Sequence, residues 1–275
     1  MLINQTQNSI LKRSVKWIAV VSLLSISTTL YAKVVTKVIP YSLNGITMSG
    51  YYAYDDAIKG KRPGVLVVHE WWGHDDYARM RARMLAGLGY SAFALDMYGT
   101  GKLAKHPDSA KKFMTEVTSN MGIARERYKK GLSILKAQDA TDNNKLAAIG
   151  YCFGGGVVLD MARQGIPLKG VASFHGSIAT KEPAKKGKVK ARLLVLNGAD
   201  DPFVTKEQIS ALKKEMRDAG ARLEFVNYKG TKHSFTNPQA DAFGKKFKMP
   251  LVYSPDADKK SWVKMQQFFK EIFKK

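Results

Sequence analysis

Leu146-Ala147-Ala148-Ile149-Gly150-Tyr151-Cys152-Phe153-Gly154-Gly155-Gly156 is the stretch on which the reading of this chain turns. Its uninterrupted apolar run predicts a strand buried on both faces. A Gly-x-Cys-x-Gly turn follows, and the residues from Gly155 to Arg163 read as a helix. Strand, sharp turn and helix with a nucleophilic atom at the apex form the nucleophile-elbow pattern, here with cysteine in place of serine. Its glycines permit a strained backbone. The helix beyond points its first amides and positive dipole end at the sulfur, which favours a thiolate and offers the Phe153 N–H to a developing oxyanion. Dinucleotide binding is excluded, because Gly150, Gly154, Gly155 and Gly156 do not meet the G-x-G-x-x-G spacing and the turn comes late in the chain.

Working outward from this turn, strands and helices alternate. Val65–Val68, Ser91–Leu95, Gly170–Phe174, Leu193–Leu196 and Leu223–Val226 read as strands. Helices are expected over Asp76–Leu88, Asp108–Val117, Ile123–Gln138, Lys206–Asp218 and Ala257–Phe273. Continuous apolar strands between helices imply a mainly parallel sheet covered on both faces, the α/β class. Ahead of it, Val34–Tyr41 and Ile46–Tyr54 flank Asn44-Gly45, a strong hairpin signal, and predict an antiparallel sheet edge. Lys181–Lys190 reads as a solvated loop. No second domain, repeat or linker interrupts residues 33–275.

Residues 1–32 differ in character. Lys12, Arg13 and Lys16 precede an apolar run from Trp17 to Leu30 that ends in Tyr31-Ala32. That order is the signature of a signal peptide cleaved after Ala32, and it implies export to the periplasm. The run is about 14 residues, short of the roughly 20 a membrane span needs, although the bulky Leu30 near the cleavage site leaves an uncleaved anchor as the other reading. The chain carries 45 Lys+Arg against 23 Asp+Glu, a net charge of +22. Such a balance favours weak adhesion to anionic surfaces. The lysines are dispersed with no arginine–aromatic stripe, so no specific nucleic-acid partner is indicated. The sequence leaves the oligomeric state open.

The chain has one cysteine, so no intramolecular disulfide accounts for it. A lone cysteine is more often a small buried hydrophobe, but the elbow favours a nucleophile. Its base must come from five histidines. Hydrolases of this architecture run nucleophile, acid, histidine along the chain. His233, directly after the strand ending near Tyr228, fits the last place. His69 and His175 also adjoin strand ends and are further candidates to line the pocket mouth. The acid is expected after Leu193–Leu196, where Asp200 and Asp201 compete; the Gly-x-x-Asp turn with an apolar residue beyond favours Asp201, leaving Asp200 as turn former or cap. His69-Glu70 and His74-Asp75-Asp76 offer ligand atoms without a zinc-helix motif, so neither a metal nor a cofactor is expected.

From Lys33 onward the chain resembles the dienelactone hydrolase family of α/β-hydrolases. The resemblance rests on His69-Glu70-Trp71-Trp72-Gly73, Asp96-Met97-Tyr98-Gly99, Gly150-Tyr151-Cys152-Phe153-Gly154-Gly155, Asp201-Pro202-Phe203-Val204 and His233-Ser234-Phe235. It implies an α/β-hydrolase fold, and a Glu70 that holds the thiol proton in the resting enzyme and turns aside when substrate binds. A carboxylate beside a thiol raises the thiol pKa, so moving it away releases a thiolate only with substrate present. The bland alternative for Glu70 is a salt bridge at a strand end. The resemblance also implies the Trp71 amide as second oxyanion donor, and Trp72 and Tyr98 as substrate-binding residues; paired tryptophans here are as often plain packing. Arginines of the family pattern that bind a substrate carboxylate fall at Thr100 and Asn237, which weakens any preference for dienelactone itself. The expected activity is cleavage of an ester or lactone by Cys152, His233 and Asp201 through an acyl thioester. A broader carboxylesterase or thioesterase is the rival among enzymes, and a non-catalytic exported binding protein the rival outside them.

Overall fold

The computed structural model describes residues 34–274, and the expected signal peptide, residues 1–32, lies outside them. The hairpin forms as its turn chemistry dictates. Asn44 (φ 51°) and Gly45 (φ 75°) both take the positive φ that a tight two-residue turn demands, and join β1 (Val34–Leu43) to β2 (Ile46–Asp55) in antiparallel register.

The chain then alternates through β3 (Arg62–Val68), α1 (Asp76–Gly87), β4 (Ser91–Leu95), α2 (Pro107–Thr118), α3 (Met121–Lys136), β5 (Thr141–Tyr151), α4 (Phe153–Arg163), β6 (Gly170–Phe174), β7 (Arg192–Gly198), α5 (Lys206–Asp218), β8 (Leu223–Tyr228), α6 (Ala240–Phe247) and α7 (Pro255–Phe273). The eight strands lie in the order β1-β2-β4-β3-β5-β6-β7-β8, with β3 to β8 parallel and β2 antiparallel to both neighbours. This is the α/β-hydrolase type of sheet expected from the sequence.

The period of two along each strand divides the core into two layers. Val65, Val67, Ala92, Ala94, Ala147 and Ile149 face α1 and α7, whereas Leu66, Val68, Phe93, Leu95, Leu146 and Ala148 face α3, α4 and α5. Both faces are therefore dry, which is why β4 and β6 are buried from end to end.

After β3 the chain runs to β4 on one side, then returns to β5 on the other. The carboxyl ends of β3 and β5 thus flank a topological switch point, where parallel sheets open a crevice. His69-Glu70 and Cys152 follow those two strands. One element escapes the sequence reading: α6, a short helix containing Gly244, lies between the His233 loop and α7.

Candidate active site

The turn after β5 is held by close backbone approach. A Cβ on Gly150 would stand 2.1 Å from the Gly154 carbonyl oxygen, and one on Gly154 would stand 2.3 Å from that of Val68. No side chain fits either place. Cys152 takes φ 51° and ψ −115°, a strained conformation that sets it at the start of α4 with a part-exposed thiol. His175 (φ 39°) and Ser234 (φ 57°) are also left-handed, so three of the strained non-glycine residues gather at this end of the sheet.

His233 Nε2 lies 3.2 Å from Cys152 Sγ, and His233 Nδ1 lies 2.7 Å from Asp201 Oδ2. The carboxylate orients the ring by accepting a hydrogen bond from Nδ1–H, which leaves Nε2 free to accept a proton from the thiol. Asp201 is buried and its other oxygen accepts the Phe203 N–H at 2.9 Å; Asp200 is exposed. Burial pulls the His233 pKa down, but charge on the Cys152 sulfur and the hydrogen bond to Asp201 outweigh it and push the group up to about 10.

Glu70 is buried behind His233. Its Oε1 accepts the Ser234 hydroxyl at 3.1 Å and its Oε2 accepts the Asn237 side-chain amide at 2.6 Å. Burial pushes its pKa up to about 7, against the lowering effect of the Asn237 hydrogen bond. Among the described residues its hydrogen-bond partners are these two and not Cys152. The expected resting contact with the thiol is absent, and the carboxylate is turned toward the His233 loop.

The amides of Phe153 and Trp71 are both free of protein acceptors among the described residues. The Trp71 loop is braced from behind: buried His69 donates Nδ1–H to the Glu70 carbonyl at 2.5 Å and accepts the Met97 N–H on Nε2 at 3.1 Å. Burial keeps this ring neutral by lowering its pKa. Tyr98, also buried, donates its hydroxyl to the Trp71 carbonyl at 3.2 Å.

Both expected substrate-binding residues are buried. Trp72 is only 3% exposed and stacks on Phe243 and Phe247 of α6 at 4.5 and 6.0 Å between ring centroids. Its place is packing, and Tyr98 supports the loop. Sequence reasoning overlooked Phe243 and Phe247, whose spacing of four residues was the available signal. It also passed over Phe203, which is 49% exposed and meets the His233 ring edge-on at 5.0 Å. Trp71 is half-buried and Phe203 is exposed.

A sequence profile of the dienelactone hydrolase family matches residues 48–273. The chain belongs to that family. As a member it is a hydrolase acting on carboxylic ester bonds. The solved structure of m3DLH is 37% identical, with a TM-score of 0.82 over 87% of this chain and 99% of that one. A dienelactone hydrolase-like promiscuous phosphotriesterase from metagenomic libraries is 32% identical, with a TM-score of 0.82 over 87% and 98%. Among relatives by sequence, a putative carboxymethylenebutenolidase of Aquifex aeolicus is 25% identical over 86% of this chain and 99% of its own.

Proposed function

We infer that this dienelactone hydrolase family member cleaves neutral, apolar esters or lactones by covalent catalysis, with Cys152 as nucleophile, His233 as base and Asp201 orienting His233. The observation that carries the reading is the continuous chain of short contacts, Cys152 Sγ to His233 Nε2 at 3.2 Å and His233 Nδ1 to Asp201 at 2.7 Å.

Attack of the thiolate on the substrate carbonyl forms a C–S bond, and the carbonyl electron pair moves onto oxygen. The amides of Phe153 and Trp71 receive that oxyanion. Collapse expels the alkoxide, which takes the proton from His233, and leaves an acyl thioester. His233 then removes a proton from water, which attacks the thioester and returns the sulfur as leaving group. Glu70, charged or neutral near pH 7, adjusts the field behind His233. The basic, serine-rich leader supports a second element of the proposal: the enzyme works outside the cytoplasm, in the periplasm, after removal of residues 1–32.

The test is turnover of aryl esters together with intact-mass measurement of the quenched enzyme. We expect a covalent acyl adduct on Cys152, and loss of both turnover and adduct in Cys152→Ala. The fold should survive, since the turn tolerates a small side chain and no disulfide is lost. Cys152→Ser should also be poor, because a hydroxyl is far less acidic than a thiol. Near-normal turnover in Cys152→Ala sinks the mechanism.

A further inference from the structure

His175 is fully buried just past β6, against the turn that carries Cys152. The Cys152 amide N–H is shared between the Phe174 carbonyl at 3.0 Å and His175 Nδ1 at 3.2 Å. An amide can only donate, so Nδ1 is the acceptor and the neutral ring carries its proton on Nε2. That proton goes to Thr236 Oγ1 at 2.7 Å. Thr236 stands three residues beyond His233 and meets the Tyr77 hydroxyl of α1 at 2.5 Å. Arg81 donates to that hydroxyl at 3.3 Å and to the Thr236 carbonyl at 2.6 Å, and pairs with Asp258 of α7 at 2.7 Å.

We propose that His175 is a positioning residue: it ties the Cys152 amide to the His233 loop and so fixes the direction of the sulfur relative to the oxyanion amides. The proposal rests on the reading of Cys152 as nucleophile. A turn as strained as that of Cys152 persists only where its surroundings over-determine it, and His175 supplies the second acceptor. His175 itself sits at φ 39°, a left-handed region that non-glycine residues seldom adopt, so the backbone there accepts strain to place this ring. The titratable groups around the ring are Glu70, with Oε1 3.9 Å from Nε2, His233, with ring centroids 5.3 Å apart, and Tyr151, at 6.0 Å. Burial, then the nearby His233 and Arg81 charges, hold its pKa well below the usual histidine value.

The experiment compares His175→Leu, His175→Asn and Thr236→Val in the full chain, reading kcat and KM on an aryl ester and the rate of Cys152 alkylation by iodoacetamide. Asparagine places its Oδ1 near the position of Nδ1 and tolerates positive φ; leucine fills the space with no acceptor. A misdirected sulfur loses the oxyanion amides in acyl transfer but not in alkylation, which forms no oxyanion. We expect His175→Leu to lower kcat by about thirtyfold or more with KM within about threefold, and His175→Asn to recover kcat to within about fivefold of wild type. Alkylation should stay within about threefold throughout, and Thr236→Val should lower kcat by about tenfold. A kcat unchanged in His175→Leu, no advantage of asparagine over leucine, or alkylation falling in step with turnover overturns the proposal. If His175→Leu does not fold, an unchanged kcat in Thr236→Val overturns it instead. Full turnover in Cys152→Ala removes the nucleophile reading and this one together; a dead Cys152→Ala beside unaffected His175 variants removes this one alone.

Discussion

Asn237 donates its side-chain amide to Glu70 at 2.6 Å, and its own Oδ1 accepts the Gln239 N–H at 2.9 Å. Its amide is therefore spent on a buried carboxylate. Asn237 stands where the family pattern places an arginine for the substrate's carboxylate, and Thr100, at the other such place, meets Ser49 at 3.0 Å. Lys102, the nearest replacement cation in sequence to Thr100, is paired with Glu116 at 2.6 Å. No arginine fork remains at either position, and a fork is worth roughly 1.5 to 3 kcal/mol per charge-assisted hydrogen bond. With Trp71 and Phe203 beside the array, we predict that a neutral methyl ester is turned over at least as well as the matched substrate bearing a free carboxylate. The measurement is kcat/KM for the pair; a preference of about a hundredfold for the free acid, roughly 2.7 kcal/mol and within the range of one such bond, refutes it.

The two aspartates that compete in sequence stand in opposite environments. Asp201 is buried and holds His233, whereas Asp200 is exposed and its backbone amide donates to the Thr231 carbonyl at 3.0 Å. Asp201→Asn removes the charge that holds the imidazole tautomer and should lower kcat by about 10³-fold or more, while Asp200→Asn should stay within about threefold. The reverse ranking shows that the orienting acid was misassigned.

Glu70 gives the stability a pH dependence of defined sign. Its folded pKa is raised to about 7 from the ordinary 4.5, so the folded protein binds this proton more tightly than the unfolded chain does. The carboxyl costs nothing below the unfolded value, and its destabilising effect grows as pH rises from about 4.5 through 7. Glu70→Gln abolishes that titration. The stability of the variant relative to wild type should therefore increase by roughly 3 kcal/mol between pH 4.5 and pH 8, read from denaturant unfolding at both values. An equal difference at the two pH values shows that Glu70 is ionised with ordinary ease.

The order of elements and the position of each array member were legible along the chain, because both are written in local chemistry. Asn44-Gly45 demands a hairpin turn whatever surrounds it, and the uninterrupted apolar strands require cover on both faces. Gly150 and Gly154 announce a turn too tight for side chains, and the order of Cys152, Asp201 and His233 follows from loops at successive strand ends. What each side chain does depended on distances no local rule contains. Glu70 reads as the neighbour of the thiol, but the fold brings Ser234 and Asn237 to it from 164 and 167 residues away. Trp72 reads as a pocket wall, but it is closed in by Phe243 and Phe247, which the fold brings from a helix far along the chain. His175, one of several histidines at strand ends, gains its place only because the Cys152 amide and Thr236 meet on either side of its ring. Hydrogen bonds and ring contacts between remote segments depend on the separation the sheet sets between them, so only the tertiary structure decides them.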